Sequence, residues 1–178
     1  IRFVNNTISD NQATNAMALG GAILADSTAG TGAGVIDWTL PNDILFFNSS
    51  AGPGDQVALA NPGDNATIVL RFTDISNAAD DIEGDTGTGV GFVNLVNPNI
   101  FTDPQFVDRF NNNYRITSDS PAATAGTKTP ILTVAGVEAD PPDDDFDGVP
   151  RDISIGAFEP VPSPTPTPTP GPSPTPGP

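Results

Sequence analysis

An aspartate-rich loop around residue 145 has a spacing that could bind a divalent cation. Alternate carboxylates followed by Gly148 match the D-x-D-x-D-G opening of a calcium loop, in which oxygens converge on one hard cation and glycine permits a sharp turn. The twelfth position, normally a bidentate Glu, is Ser154, so we expect Asp152 to substitute and the Val149 carbonyl to add a backbone ligand. The predicted Ca²⁺ ligands are Asp143, Asp145, Asp147 and Asp152. The alternative is a solvated acidic turn between two strands.

A second acidic cluster consists of Asp80, Asp81, Glu83 and Asp85. Two carboxylates on either side of a sugar could act as the acid and base of a glycoside hydrolase. The cluster could equally be a polar loop that projects from the fold. A sugar-cleaving groove also needs aromatic and basic side chains, and the chain has one Trp, one Tyr and six basic residues. We therefore expect a protein that is not an enzyme.

The composition excludes several classes of site. The 178 residues include no His and no Cys, so the chain alone cannot build a zinc finger, a disulfide framework, a Cys nucleophile or a His-based triad. A net charge of −16 disfavours nucleic acid as a partner. No apolar run approaches the ~18 residues of a transmembrane span. The sequence opens at Ile1 without the features of a signal peptide, so we expect any such peptide to lie upstream or to have been removed.

Three N-x-[ST] sequons could carry N-linked sugar, at Asn5, Asn48 and Asn65. We predict glycosylation at one or more of them. Asn5 and Asn48 also occupy what looks like the same place in a repeat. They could instead point inward and stack as an asparagine ladder.

Residues 160–178 differ sharply from the rest of the chain, because they hold ten of its 20 prolines. Proline lacks an N–H donor, so this segment is predicted to be an extended polyproline II rod, roughly 60 Å long at ~3.1 Å per residue. Hydroxyls between prolines are typical of O-glycosylated stalks. The predicted acceptors are Ser163, Thr165, Thr167, Thr169, Ser173 and Thr175. The alternative is a bare, flexible linker.

Short strands separated by Gly, Asn and Asp turns are predicted in residues 1–100. Two segments echo each other, Ile1–Asn11 and Ile68–Ala78, with Ile8 matching Ile75, and Ile44–Gly52 resembles the same unit. The separation of 67 residues between Ile8 and Ile75 would hold three periods of about 22 residues, and such a period is typical of a solenoid. The predicted strands are Ile1–Val4, Gly21–Ala25, Val35–Leu40, Ile44–Asn48, Val57–Ala60, Thr67–Phe72 and Gly91–Val96.

An all-β fold is therefore expected, and two architectures compete for it. A β-sandwich also gives many short strands. Asn-Gly hairpin turns are missing, however, and apolar runs such as ILFF show little polar alternation, which favours a right-handed parallel β-helix. We predict β-helix rungs in residues 1–100, a C-terminal cap with the Asp-rich loop in residues 101–159, and the Pro-rich tail in residues 160–178.

Several motifs resemble a known family. The segment GGAILAD (Gly20–Asp26) is similar to the rungs of bacterial β-helix repeat proteins. The segments DPQFVD (Asp103–Asp108), YRITSDSPAATAG (Tyr114–Gly126) and DGVPRDISIGAFE (Asp147–Glu159) resemble the end of the choice-of-anchor, surface-attached group of these proteins. Ala123 and Thr124 depart from the family pattern. The resemblance implies a secreted or cell-surface β-helix closed by a C-terminal cap, and it does not imply a catalytic activity.

The first predicted strand begins at Ile1 with no amphipathic helix to cover it, and an exposed strand edge templates pairing with another chain. The alternative is that an upstream part of the polypeptide covers Ile1. From the exposed edge we expect an extracellular structural subunit that stacks head to tail with its own copies in a surface fibre or sheath, stabilised by Ca²⁺ and glycosylated. One alternative is a monomeric adhesin or carbohydrate-binding module tethered by its Pro-rich stalk. A further alternative is a minimal polysaccharide-active enzyme.

Overall fold

The computed structural model describes residues 2–15, 18–26, 36–60, 66–76, 81–83, 91–96, 98–132, 136 and 138–163. Within these ranges the chain is all-β: it forms fifteen short strands, two single-turn 3₁₀ helices at Arg109–Asn111 and Pro121–Ala123, and no α-helix. No described helix is long and apolar enough to cross a bilayer. The strands are β1 Thr7–Ser9, β2 Gln12–Ala13, β3 Ile23–Asp26, β4 Ile36–Pro41, β5 Ile44–Phe46, β6 Ser49–Ser50, β7 Val57–Ala60, β8 Ala66–Arg71, β9 Asp74–Ile75, β10 Ile82–Glu83, β11 Gly91–Val96, β12 Phe106–Asp108, β13 Asn113–Ile116, β14 Ile131–Leu132 and β15 Glu138–Ala139.

Three small parallel sheets contain most of the strands. Their orders are β1-β5-β9, β3-β7-β10 and β4-β8-β11, so strands in each sheet follow chain order, and β2 pairs with β6 in a further parallel pair. The chain visits the three sheets in the same sequence three times. Paired residues of neighbouring strands in one sheet are 25 to 37 residues apart in the chain, because parallel neighbours cannot be joined by a two-residue hairpin and the chain passes through the other two sheets between them.

The register confirms the internal repeat but not its predicted period. Ile8 pairs with Leu45, and Leu45 pairs with Ile75, so the two echoing isoleucines occupy equivalent positions. Two steps, one of 37 residues and one of 30, cover the separation. The prediction of three periods near 22 residues was wrong. The number of residues per repeat is not constant, because the segments that connect one sheet to the next differ in length.

The interior lies between the three sheets. Strand β8 alternates between buried and half-buried residues, and its buried Ile68 and Leu70 join Leu45, Val57 and Ile75 in one apolar cluster. Alternation of this kind places every second side chain on the inner face. Burying apolar area here supplies the main favourable term of folding.

Left-handed backbone turns mark the corners between sheets. Asn5, Asn42 and Phe72 have φ values of 55°, 59° and 53° and lie at equivalent places. The N–H of Asn5 donates to the Pro41 carbonyl at 3.2 Å, and the N–H of Asn42 donates to the Arg71 carbonyl at 3.3 Å. Asparagine tolerates this conformation better than most residues. Its abundance in the sequence is thus partly explained by the corners.

Residues 101–159 lie along the side of the parallel sheets. Strands β12 and β13 form an antiparallel hairpin, as do β14 and β15. Ile116 and Ile155 pack with Ile44 in a second apolar cluster, on the outer face of β5. Because Leu45 faces the interior and Ile44 faces this cluster, both faces of β5 are buried, which explains the unbroken apolar run ILFF.

This position differs from the expected cap over one end of a β-helix. The segment contacts Asn5 and Thr7 near the start of the chain, where Asn5 Nδ2 lies 3.3 Å from the Ser154 carbonyl and the Ala157 N–H donates to Thr7 Oγ1 at 3.0 Å. They also reach Asn42, whose carbonyl accepts the Gly156 N–H at 2.7 Å. The segment therefore ties successive corners together from outside.

Candidate functional site

Asp145 organises the Asp-rich loop by accepting hydrogen bonds from the backbone. Its Oδ1 accepts the N–H groups of Asp147 and Val149, both at 2.8 Å, and its Oδ2 accepts the N–H of Glu159 at 2.7 Å. Burial by itself raises the pKa of this carboxyl, but the three N–H donors and the Arg151 charge outweigh burial, so the pKa lies below its ordinary value. Asp145 is thus an ionised, buried group that holds the turn closed.

The other three predicted calcium ligands have separate surroundings. Asp147 forms a bidentate ion pair with Arg115, with both N–O distances 2.7 Å. Asp152 is exposed and lies 3.5 Å from Lys128 Nζ. Asp143 is exposed, and its carbonyl accepts the Arg151 N–H.

These placements do not bring the four carboxylates onto one point. Among the residues that the structure describes, no group of three or more acidic side chains is placed to hold a metal ion. A cation in this loop would have to displace Arg115 from Asp147 and share Asp145 with backbone donors. Calcium binding stays a prediction. The Arg115 guanidinium would compete with the cation for Asp147.

The second acidic cluster lies mostly outside the described residues. Asp80 and Asp85 are among those not described, and of Glu83 only the backbone is described. Asp81 is buried, and its Oδ2 accepts the Ser76 hydroxyl at 2.6 Å, while its carbonyl accepts the N–H groups of Gln56 and Val57. These contacts give Asp81 a structural position. The acid–base hypothesis for the cluster is not tested.

Two of the three sequon asparagines are buried in polar contacts. Asn5 is 5% exposed, and its Oδ1 lies 3.3 Å from Asn42 Nδ2. Asn48 is also 5% exposed; its Nδ2 donates to Gln56 Oε1 at 2.7 Å, and its Oδ1 accepts from Asn11. The inward-facing alternative is favoured for both, although they stack on Asn42 and Asn11 rather than lying at one shared repeat position.

The remaining predicted sugar positions lie mainly outside the described residues. Asn65, Thr165, Thr167, Thr169, Ser173 and Thr175 are not described. Ser163 is described and half-buried; its hydroxyl donates to Asp119 Oδ2 at 2.5 Å. Glycosylation of the tail stays a prediction, and sugar on Ser163 would have to break this contact.

Two buried carboxyls at the corners were missed by the sequence reading. Burial raises the pKa of Asp43 to about 7, despite two hydrogen bonds from Asn6. Burial, together with the nearby Asp103 charge, raises the pKa of Asp74 to about 8, despite the neighbouring Thr102 N–H. Neither carboxylate oxygen of Asp74 has a hydrogen-bond partner of good geometry. Nothing in the local sequence distinguishes these aspartates from the exposed ones.

An open groove of about 370 Å³ lies where the start of the chain meets the C-terminal segment. Its walls are Tyr114, Phe146 and Phe158 on one side and Asn6, Thr7 and Ile8 on the other; we call it the aromatic groove. Phe146 is 80% exposed, and its ring meets the Phe158 ring edge to face at 5.7 Å. The sequence reading missed this groove because its two sides are about 100 residues or more apart in the chain.

In the ranges that the structure describes, the parallel sheets have unpaired edges on two sides. Strands β1 and β3 each pair on one side only among the described residues, and so do β10 and β11 at the other end of their sheets. Half-buried apolar side chains lie at both ends of the interior cluster. On the first side they are Phe3, Ile8 and Ala22, and on the last side Ile82, Val93 and Leu95. Such edges carry N–H and C=O groups that can pair with another chain.

No family model, curated protein or solved structure matches this chain. The resemblance to the choice-of-anchor group thus stays an expectation drawn from its motifs.

Proposed function

We propose that the parallel sheets belong to a right-handed parallel β-helix. Three parallel sheets visited in a constant order, with aligned registers, support this architecture. Stacked corner residues such as Asn5 and Asn42 are consistent with successive turns of one solenoid. The right hand follows the general preference of parallel crossover connections.

We further propose that the protein is a non-enzymatic, extracellular structural subunit that stacks end to end with its own copies in a surface fibre. The observation that carries this proposal is that, within the described part of the chain, the parallel sheets have an unpaired edge at each end, beside half-buried apolar side chains. An unpaired edge of this kind is a liability unless something covers it.

A second copy fits these edges better than an unrelated partner. Inside the molecule, one side of β3 pairs in parallel with β7, and the other side of β7 pairs in parallel with β10. The free edge of β3 therefore has the same strand direction as the partner that β10 would need. Joining the last edge of one copy to the first edge of the next is a heterologous contact that does not close, so it produces a filament. A net charge of −16 would keep such a fibre hydrated.

Leu24 offers a direct test of edge pairing. Ile23 donates its N–H to the Gln56 carbonyl at 3.0 Å, so alternation along the strand turns the Leu24 N–H toward the free side. Leu24 is 45% exposed, which leaves room for substitution. Leu24→Pro removes this donor and keeps the ladder bonds to β7, because edge strands tolerate proline.

We expect sedimentation velocity to show large assemblies for the wild-type chain and monomers for Leu24→Pro at equal concentration. Leu24→Ala is the matched control, since it removes the side chain but keeps the N–H, and it should still assemble. Thermal unfolding checks that both variants fold. Equal assembly of folded Leu24→Pro and Leu24→Ala would contradict pairing through this edge.

A further inference from the structure

The walls of the aromatic groove are held by a hydrogen bond and an ion pair, although the Phe146 ring is exposed. The Phe146 N–H donates to the Ala157 carbonyl at 2.9 Å, which fixes the backbone beneath the exposed ring. The Arg115 guanidinium lies 4.7 Å from the centre of the Phe158 ring and is itself held by Asp147. A hydrogen bond and a cation–π contact thus hold in place a surface on which the apolar Phe146 ring is exposed to solvent. Pre-formed aromatic surfaces of this kind commonly bind a partner.

Aromatic-lined grooves are suited to polyproline II segments. The proline rings pack on aromatic faces, and the extended backbone leaves its carbonyls free to accept hydrogen bonds. Asn6 lines the groove and uses one amide N–H on Asp43 Oδ1 at 2.9 Å, which leaves its second N–H as a donor. The groove therefore combines the two kinds of contact that such a ligand needs.

This chain carries a segment with the matching chemistry. Residues 160–178 contain ten prolines and no charged side chain, whereas the whole chain carries a net charge of −16. Two copies repel each other through most of their surfaces. An uncharged, proline-rich segment can approach an acidic copy without that cost.

The start of the segment points away from the groove of its own chain. The Val161 N–H donates to the Ile116 carbonyl and the Ser118 N–H donates to the Val161 carbonyl, both at 2.9 Å, so the segment runs parallel to β13. Tyr114 lies near the beginning of β13, while Ser163 has already reached Asp119 beyond its end.

We propose that the aromatic groove binds the Pro/Thr-rich segment of a second copy of this chain. This inference rests on the proposed function, because it adds a second, side-on contact to the end-to-end stacking of copies. The groove supplies ring stacking through Tyr114, Phe146 and Phe158, and Asn6 supplies a donor to a segment carbonyl.

The test is fluorescence anisotropy with a labelled synthetic peptide of residues 160–178. The full chain is titrated at concentrations below those at which it assembles. We expect saturable binding, weakened about tenfold or more by Phe146→Ala, since loss of one aromatic anchor at this level corresponds to about 1.4 kcal/mol. Phe110→Ala is the matched control: Phe110 is 89% exposed and lies outside the groove, so its removal should leave affinity unchanged.

Three results would overturn the inference: no saturable binding, equal loss in Phe146→Ala and Phe110→Ala, or binding of a neutral oligosaccharide but not of the peptide. The last would assign the groove to sugar. The proposed fibre is judged separately. Filaments without peptide binding would support end-to-end stacking and contradict the groove contact. Peptide binding by a chain that never forms filaments would support the groove contact and contradict end-to-end stacking.

Discussion

At the corners between sheets, a backbone N–H turns away from its strand partner and a side-chain oxygen accepts it instead. An Asp or Asn from the following segment supplies the oxygen, which prevents the cost of a buried, unpaired donor. Three pairs are joined in this way: Asp43 with Asn6 (2.6 Å), Asn48 with Asn11 (3.1 Å) and Asn99 with Thr73 (2.9 Å). The same corners place Asp43 and Asp74 in buried positions, where their ionisation is disfavoured.

The buried Asp74 predicts an unusual dependence of stability on pH. Its pKa is raised from 3.8 to about 8, so the folded state holds a proton that the unfolded state releases above pH 4. Its stabilising contribution is complete below about pH 4 and is lost as pH rises to about 8. At roughly 1.4 kcal/mol per pKa unit, the total loss is several kcal/mol.

Asp74→Asn should remove the part of this dependence that comes from Asp74, while buried Asp43, whose pKa is raised to about 7, keeps its own part. We expect its Tm to exceed that of the wild type at pH 9 and to vary less between pH 5 and pH 9. The nearby charge is Asp103, which stays in place. Exposed Asp140→Asn is the control and should follow the wild type. Circular dichroism melts measure both, and parallel pH profiles of wild type and Asp74→Asn would contradict a neutral, buried Asp74.

At the scale of the elements, two carboxylates of the Asp-rich loop bind groups of the chain itself. Asp145 holds three backbone N–H groups, and Asp147 pairs with Arg115, which in turn covers the Phe158 ring. The loop therefore supports one wall of the aromatic groove. A cation would have to compete with these contacts.

If the loop binds calcium, Arg115 sets its affinity. We expect weak binding, in the ~10⁻⁴–10⁻³ M range of extracellular modules. Arg115→Gln frees Asp147 and should strengthen binding several-fold in isothermal titration calorimetry, while Asp147→Asn should weaken it. An absence of binding heat for the wild type and for Arg115→Gln at millimolar calcium would contradict the calcium prediction.

Much of the strand content was predictable, whereas the contacts between distant segments were not. Val57–Ala60 and Gly91–Val96 match β7 and β11, because runs of β-branched and apolar residues bounded by turn residues identify strands locally. Strand β1 was missed, since Thr7–Ser9 has one apolar residue, and its pairing with β5 supplies what its own sequence lacks. The strand predicted over Ile44–Asn48 ends at Phe46, because Phe47 adopts a left-handed backbone conformation with φ 60°.

The site was less predictable than the strands. The spacing of Asp143, Asp145 and Asp147 indicated a shared cation, but their partners come from residues elsewhere in the chain. Arg115 lies 32 residues from Asp147, and no local pattern links the two. The aromatic groove depends in the same way on tertiary packing.

For the whole molecule, the free parallel edges and the acidic surface must be reconciled. Edges favour association, and a net charge of −16 opposes it. The proposed end-to-end stacking would satisfy both, because it would pair the backbone at the two edges and leave the rest of the charged surface in solvent. The proposed binding of residues 160–178, which carry no charged side chain, would add a lateral contact between copies.

Electron microscopy of the native material in calcium buffer tests end-to-end stacking most directly. End-to-end stacking predicts long, unbranched filaments of uniform width, with strands perpendicular to the filament axis and therefore a repeat of about 4.8 Å along it. Dispersed single particles at the same concentration, or filaments that lack this repeat, would contradict it.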